Sequence, residues 1–296
     1  MTDHSKRTTK AILITILAGC LVAGMDAFGK ALMADQPPLQ VVWGRYFFHA
    51  VIMAAVLLRG GEWSILRPRK PKLQAFRAAC LLGITISMYT ALNVVPLADA
   101  TAVLFFAPVL LTLLAGIFLK EPVGWRRLSA VAVGFSGVLL IVRPGFGPGS
   151  GNVAPELIFA FLAACFLAVY MLVTKQLSGK DDERTTLFYT TAPGALLLSL
   201  ALPWIWADLT VQAWAMMLAC GALGAGGHYL LVQAFHLEDA GTLSPFLNAH
   251  LVAAMVYSLV FFGDPLTPTF FAGTSLIVGS GLFIWWRERR KKAGMG

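Results

Sequence analysis

The sequence predicts an all-α membrane protein in which ten transmembrane helices form two inverted five-helix repeats. Of its 296 residues, 58% are hydrophobic and 13% are charged, which is about half the charged fraction of a soluble domain. Several apolar runs exceed the roughly 18 residues that mark a membrane helix. Lysine and arginine are concentrated in every second connector between these runs, as expected for a chain that crosses a membrane repeatedly.

The apolar runs are separated by short connectors that carry proline, glycine or charge, so successive helices should run antiparallel. The longest connector, residues 143–152, is rich in glycine and proline and lies near the midpoint. We therefore predict two halves, residues 1–145 and 146–296. The ten predicted spans are Ala11–Met33, Leu39–Leu58, Ala75–Val95, Ala100–Leu119, Arg126–Val142, Pro155–Thr174, Thr186–Trp206, Gln212–Ala234, Gly241–Phe262 and Thr269–Trp286.

The first span follows Lys6, Arg7 and Lys10 and so imitates a signal peptide. Its apolar run is too long for a signal peptide and many spans follow it, which indicates an uncleaved first helix. With the N-terminus inside, twenty of the 23 lysines and arginines lie in inside segments and one, Arg143, lies outside. This distribution predicts a multi-pass protein of the cell (inner) membrane with both termini cytoplasmic.

The net charge of +8 is explained by this orientation, and nucleic-acid binding is not predicted. Each of the four cysteines lies within an apolar run and no C-x-x-C occurs, so we predict neither disulfides nor a metal site. The sequence also contains no G-x-x-x-x-G-K-[ST] and no H-E-x-x-H motif. We expect no cofactor, a monomer in the lipid bilayer, and a small molecule as the partner.

The two halves resemble each other along their length. The pattern from Tyr89 through Asn93 to Asp99 recurs as Tyr229, Gln233 and Asp239, and Cys20 with Lys30 recurs as Cys165 with Lys175; Glu121-Pro122 likewise recurs as Asp264-Pro265. Because each half has five spans, an odd number, the second half must enter the membrane in the opposite direction. Such inverted repeats are typical of secondary transporters that work by alternating access.

The stretch from Ala98 to Pro108, together with Phe118–Pro122 and Gly134–Val142, resembles the EamA-type branch of the drug/metabolite transporter superfamily. The resemblance extends over nearly the whole chain, and the pattern is also similar to bacterial amino-acid exporters of the aromatic amino-acid type. It implies that the first, third, fourth, sixth, eighth and ninth spans surround a central cavity. In the second half, Asn248-Ala-His250 stands where the family pattern often has a proline.

Polar side chains within spans are costly in hydrocarbon and are therefore candidates for a substrate site. Asp26 and Lys30 share a helix face and either bind the two ends of a zwitterion or neutralise each other. Arg45 and His49 share a face of the second span, where Arg45 binds a substrate carboxylate or pairs with Asp26 or Asp35. By the resemblance this span is peripheral, which favours a structural role for Arg45.

The remaining candidates are uncharged or histidine side chains that could orient a solute, hold helices together by hydrogen bonds or, for histidine, carry protons. They are Tyr89, Asn93, Tyr170, His228, Tyr229, Gln233, Asn248 and His250.

Four functions stay open on the sequence, of which the last is a passive channel. The leading hypothesis is a transporter that exports small metabolites, most of all amino acids, and is not an enzyme. The second is a proton-coupled exporter of cationic drugs that uses Asp26, the only acid of the first span. The third is an intramembrane serine enzyme, because Gly134-x-Ser136-Gly137 matches the short motif of such enzymes, although small residues in membrane helices usually serve packing.

Overall fold

The chain is described by a computed structural model over residues 3–59, 61, 63–118, 125–142, 156–238 and 240–292. Within these ranges the secondary structure is helical throughout, as the sequence predicts. Short 3₁₀ turns cover Trp63–Leu66 and Ser244–Asn248. The helices are α1 (Asp3–Leu32), α2 (Pro38–Leu57), α3 (Pro71–Leu92), α4 (Leu97–Leu104), α5 (Ala107–Phe118), α6 (Trp125–Val142), α7 (Leu157–Leu177), α8 (Glu183–Ile205), α9 (Val211–Leu237), α10 (Ala240–Leu243), α11 (Ala249–Phe262) and α12 (Pro268–Lys292).

In the described residues, nine helical segments are long and apolar enough to cross a membrane. The fifth predicted span is shorter than the others, since its apolar part within α6 is Leu128–Val142. Large apolar side chains such as Trp204, Val211 and Ile117 are more than two-thirds exposed, which suits a surface that faces lipid. The linker at 143–155 and the Glu121-Pro122 pair lie outside the described residues, as does Asp239.

Two spans are discontinuous, and they occupy corresponding places in the two halves. The fourth is α4 and α5, which are separated at Phe105 and Phe106. The ninth is α10 and α11, which are separated by the 3₁₀ turn Ser244–Asn248. Each break adjoins a proline, Pro108 or Pro245. Proline lacks the backbone N–H that would continue the preceding turn and is well accommodated in the first turn of a helix. Discontinuous helices at the centre of the membrane are the usual setting of transporter sites.

Helix packing is reciprocal between the halves. Helix α1 packs on α9 and α11, and its counterpart α7 packs on α3 and on the fourth span, α4 with α5. Helix α2 packs on α8, and α6 packs on α12. The largest apolar cluster of the described residues contains side chains of both halves, so the two halves pack closely on each other. Because of this exchange, three-helix junctions form in pairs: α9 with α1 and α2, and α3 with α7 and α8.

Candidate functional site

Three ionisable side chains from three helices meet inside the bundle: Asp26 of α1, Arg45 of α2 and His250 of α11. Arg45 Nη1 lies 3.6 Å from Asp26 Oδ1, and His250 Nε2 lies 3.4 Å from Asp26 Oδ2. Asp26 is 4% exposed and Arg45 is 8% exposed. Charged groups in a membrane protein are costly unless they are paired or functional. We refer to these three residues as the charged cluster.

The broken ninth span places His250 in this cluster. The Asn248 side-chain amide donates a hydrogen bond to the carbonyl of Pro245 (3.0 Å) across the 3₁₀ turn, and α11 begins at the next residue. His250 thus lies in the first turn of a helix, where the N-terminal end of the helix dipole favours a nearby carboxylate such as Asp26.

Gly19 allows α11 to lie directly against α1. A Cβ atom at Gly19 would lie 2.8 Å from the backbone nitrogen of His250, which is closer than side-chain carbons come to backbone. Any larger residue would push α11 away, and with it the imidazole that faces Asp26. At the corresponding contact of the repeat, Ala107 at the start of α5 and Ala164 of α7 belong to one buried apolar cluster.

Tyr89 of α3 and Cys220 of α9 cover one side of the charged cluster. The Arg45 guanidinium carbon lies 5.3 Å from the centre of the Tyr89 ring, a cation–π geometry. The Tyr89 hydroxyl lies 3.7 Å from the sulfur of Cys220, and the Cys220 thiol donates to the carbonyl of Met25 (3.4 Å). Tyr89 is fully buried, so it fixes the position of Arg45 instead of opening to solvent.

A pair of histidines adjoins the cluster between α2 and α9. The ring centres of His49 and His228 are 5.5 Å apart. His49 is 1% exposed, and within the described part of the chain its Nε2 has no hydrogen-bond partner. An orphaned buried nitrogen is uncommon in a folded protein. In the described residues His250 Nε2 likewise has no hydrogen-bond partner.

The second buried arginine, Arg77 of α3, lies at the junction with α7 and α8. Its guanidinium donates to Thr174 Oγ1 (2.9 Å), the Thr186 carbonyl (3.2 Å) and Thr190 Oγ1 (3.1 Å). It also donates to the Tyr170 hydroxyl and lies 4.4 Å from the centre of that ring. These partners are all neutral oxygens. Tyr170 and Thr174 lie in the C-terminal part of α7, where the helix dipole favours a cation, and Thr186 and Thr190 lie in the first turns of α8. We call Arg77 and these four partners the arginine brace.

Lys30 lies at the end of α1 and is held by the connectors of two other helix pairs. Its Nζ donates to the Val95 carbonyl (2.6 Å) and lies 3.6 Å from Asp264 Oδ2. The Ser258 hydroxyl donates to the same Asp264 oxygen (2.7 Å) and accepts from the Ala98 N–H (3.3 Å). Asp26 and Lys30 are four residues apart on α1 but are bound by different partners. The interpretation from the sequence that they neutralise each other therefore does not hold in the structure.

The predicted candidates are distributed over several environments. Asp26, Tyr89, His228 and His250 lie in or beside the charged cluster, whereas Tyr170 belongs to the arginine brace and Lys30 to the end of α1. Asn93 is the exposed C-cap of α3, and Tyr229 is 36% exposed. Gln233 and Asn248 are half-buried.

Arg77, Cys220 and Asp264 are absent from the candidates that the sequence predicts, and Arg45 was expected to have a structural role. The sequence shows that Arg45 and His49 share one helix face. It also offers two ion-pair partners for Arg45, of which Asp26 is one. The structure confirms that pairing. The assignment of α2 to the periphery, which the family resemblance implied, hid its part in the cluster.

Comparison with known proteins places the whole chain in one class. The sequence profile described as "EamA-like transporter family" matches residues 9–143 and again 154–286. The chain is 24% identical to an S-adenosylmethionine uptake transporter of Rickettsia bellii, covering 90% of this chain and 89% of that one. It is 27% identical to a riboflavin transporter of Brucella anthropi (89% and 96% covered) and 26% identical to a pseudopaline exporter of Pseudomonas aeruginosa (90% and 93%).

The fold has a counterpart among solved structures. A crystal structure of a protein with 18% sequence identity superposes with a TM-score of 0.64 and covers 95% of this chain and 98% of that chain. The likeness therefore extends over both halves and both discontinuous spans, and it supports the fold.

Proposed function

The chain belongs to the EamA-like transporter family, and on that basis we propose that it moves a small zwitterionic metabolite, of the amino-acid type, across the membrane by alternating access. The named relatives carry S-adenosylmethionine, riboflavin and pseudopaline, all of them organic metabolites and not inorganic ions. These names widen the range of cargo beyond the simple amino acids that the sequence favours.

The charged cluster is the observation that carries this proposal. A zwitterion has one anionic and one cationic end, and the cluster offers a partner for each: Arg45 for a carboxylate and Asp26 for an ammonium group. The distances from Asp26 to Arg45 and His250, 3.6 and 3.4 Å, exceed the roughly 2.7–2.9 Å of a tight charge-assisted hydrogen bond. A substrate with a carboxylate and an ammonium group can exchange partners with this pair.

The reciprocal packing of the halves supports alternating access. Helix α1 packs on α9 and α11, and α7 packs on α3 and the fourth span. If the two halves exchange these packing geometries, the side of the membrane to which the cluster is open changes. The cluster lies on helices of both halves, so a substrate bound there experiences the change from both sides. Two structurally related halves that exchange conformations are the basis of transport in inverted repeats.

A substrate panel in liposomes tests the proposal. Purified protein is reconstituted, and uptake of labelled amino acids, S-adenosylmethionine and riboflavin is measured against empty liposomes, with unlabelled solute inside to drive exchange. We expect saturable exchange of at least one zwitterion. Arg45→Gln should abolish it, whereas His236→Gln should not, because His236 is exposed and pairs with Glu183 away from the cluster. If no zwitterion is exchanged faster than in empty liposomes, the substrate class is wrong.

Export is the direction that the resemblance to amino-acid exporters implies. It is tested in cells by loading them with the exchanged solute and following its release with and without the protein. Faster release supports export, and faster accumulation from the medium assigns uptake instead.

A drug exporter coupled to protons needs a carboxylate that is free to receive a cation. In the structure Asp26 is engaged by Arg45 and faced by His250, which favours a zwitterion over a simple cation. Resistance of cells to cationic dyes, compared between the wild type and Asp26→Asn, separates the two. Resistance that depends on Asp26 would support the drug exporter.

A further inference from the structure

We propose that His250 is a proton-binding site whose loading is linked to the binding of a carboxylate at Arg45. The inference rests on the proposed function, in that the charged cluster is taken as the substrate site, and it adds the coupling ion. One carboxylate, Asp26, is shared by two groups that carry or accept positive charge, Arg45 through Oδ1 and His250 through Oδ2.

The charge balance of the cluster depends on His250 alone. With a neutral imidazole, the Asp26 carboxylate and the Arg45 guanidinium sum to zero. When a proton adds to the free ring nitrogen, both ring nitrogens carry N–H and the ring carries one positive charge. The cluster then holds a net charge of +1 among transmembrane helices, which is unfavourable until an anion joins it.

A substrate carboxylate is the anion that relieves this charge. Once protonated, His250 competes with Arg45 for Asp26, and the guanidinium becomes available to a second carboxylate. Binding of the proton and of the carboxylate therefore favour each other by the same factor, since linkage is reciprocal. With a simple carboxylate, the complex of proton and anion has the same net charge as the empty site. A zwitterionic substrate also brings its ammonium group, so proton and zwitterion together move one positive charge through this cluster.

The surroundings of His250 contain few other groups that could set its protonation. The charged or titratable groups that face it are Asp26 from α1, His228 from α9 and, beyond Asp26, Arg45 from α2. From the end of α4 it meets the ring of Phe105 at 5.7 Å.

The other two elements packed on α11 add no competing charge in the described residues. The one ionisable residue of α4, Asp99, interacts with Lys30, and the 3₁₀ turn Ser244–Asn248 has no ionisable residue. Lys30 itself is held by Val95 and Asp264. Asp26 is therefore the principal partner of a protonated His250.

Proton uptake by the purified protein tests this without any transport. Acetate, the smallest carboxylate, is added to detergent-solubilised protein in weakly buffered solution between about pH 6 and 8, the range in which imidazole titrates. A pH indicator reports the protons taken up, and acetamide serves as the uncharged match. We expect acetate to drive the uptake of protons, at most about one per protein, and acetamide to drive none.

Variants locate the proton and the anion separately. His250→Gln removes the proton site and Arg45→Gln removes the anion site, so each should abolish acetate-driven uptake, whereas His236→Gln should retain it. Arg45→Lys keeps the charge and should retain part of the uptake, which separates loss of the anion site from misfolding; size-exclusion profiles check the fold. Absence of uptake by the wild type, or its survival in His250→Gln, would overturn the linkage. Saturable exchange in liposomes would in that case leave the proposed function standing.

Discussion

Two buried arginines of this chain stack on tyrosine rings and are held in opposite ways. Arg45 lies 5.3 Å from the ring centre of Tyr89 and pairs with the carboxylate of Asp26. Arg77 lies 4.4 Å from the ring centre of Tyr170 and donates to threonine and backbone oxygens, all neutral. They occupy the paired three-helix junctions of the two halves. A carboxylate partner can be exchanged for that of a substrate, whereas a cage of neutral oxygens fixes the helices in place.

The largest effect is expected from breaking the charged cluster. Asp26→Ala leaves Arg45 buried without a counter-charge, and such a loss costs about 3–5 kcal/mol of stability. Thermal denaturation followed by size-exclusion chromatography measures it. The double variant Asp26→Leu with Arg45→Met should regain most of the stability, because well-packed apolar residues often replace a buried pair without cost, yet it should exchange no substrate.

This pair of variants separates stability from transport at one site. A double variant that stays as unstable as Asp26→Ala would show that Arg45 contributes through packing and hydrogen bonds beyond the pair. A stable double variant that still exchanges substrate would remove the cluster from the transport pathway.

The next effect concerns the arginine brace. Arg77→Met removes the donors that join α3 to α7 and α8, and hydrogen bonds from a charged donor contribute about 1.5–3 kcal/mol each without adding up in full. We expect a loss of about that size in the same denaturation assay. Arg77→Lys keeps the charge but cannot bridge four oxygens, so it should recover only part of the loss.

Exchange in the Arg77 variants should fall in proportion to the amount of folded protein. A variant that folds like the wild type but exchanges no substrate would contradict the assignment of the brace to stability and would make Arg77 a second substrate contact.

The contrast between the two junctions also explains what the sequence can and cannot predict. The apolar runs, the charge distribution and the odd number of spans per half define the helices and the two-repeat fold, because these depend on local composition. The partners of Asp26 depend on how α1, α2 and α11 cross, which no spacing within one helix reveals. The four-residue spacing to Lys30 suggests mutual neutralisation, whereas tertiary packing binds each residue to another helix.

The solvent exposure of individual side chains does not follow from the sequence repeat either. Tyr89 and Tyr229 correspond in sequence, but Tyr89 is fully buried and Tyr229 is 36% exposed. Asn93 follows Tyr89 by four residues and should share its face, but the helix ends there and Asn93 is its exposed cap. A repeat conserves the backbone path, while each half places its own side chains against different neighbours.

A smaller change tests how closely α11 must lie against α1. Gly19→Ala puts a methyl group where the backbone of His250 passes, and overpacking of this kind costs about 1–3 kcal/mol. It should also reduce substrate exchange, because His250 moves away from Asp26 while the arginine brace is untouched. Gly226→Ala on α9 is the matched control, since a Cβ there would meet only Leu21 Cδ1 at 3.5 Å. Equal losses in both variants would point to general helix packing.

The smallest effect is expected at Ser136, which lies on α6 outside both junctions. Its hydroxyl is on an exposed face and donates to the Val133 carbonyl of its own helix (2.7 Å), so Ser136→Ala removes only a local bond. Stability should stay within about 0.5 kcal/mol of the wild type, and substrate exchange in liposomes should be unchanged. A serine enzyme would lose all activity on this substitution, because the hydroxyl would be its nucleophile. Unchanged exchange would therefore remove Ser136 from the functional polar groups, in contrast to Arg45 at its junction.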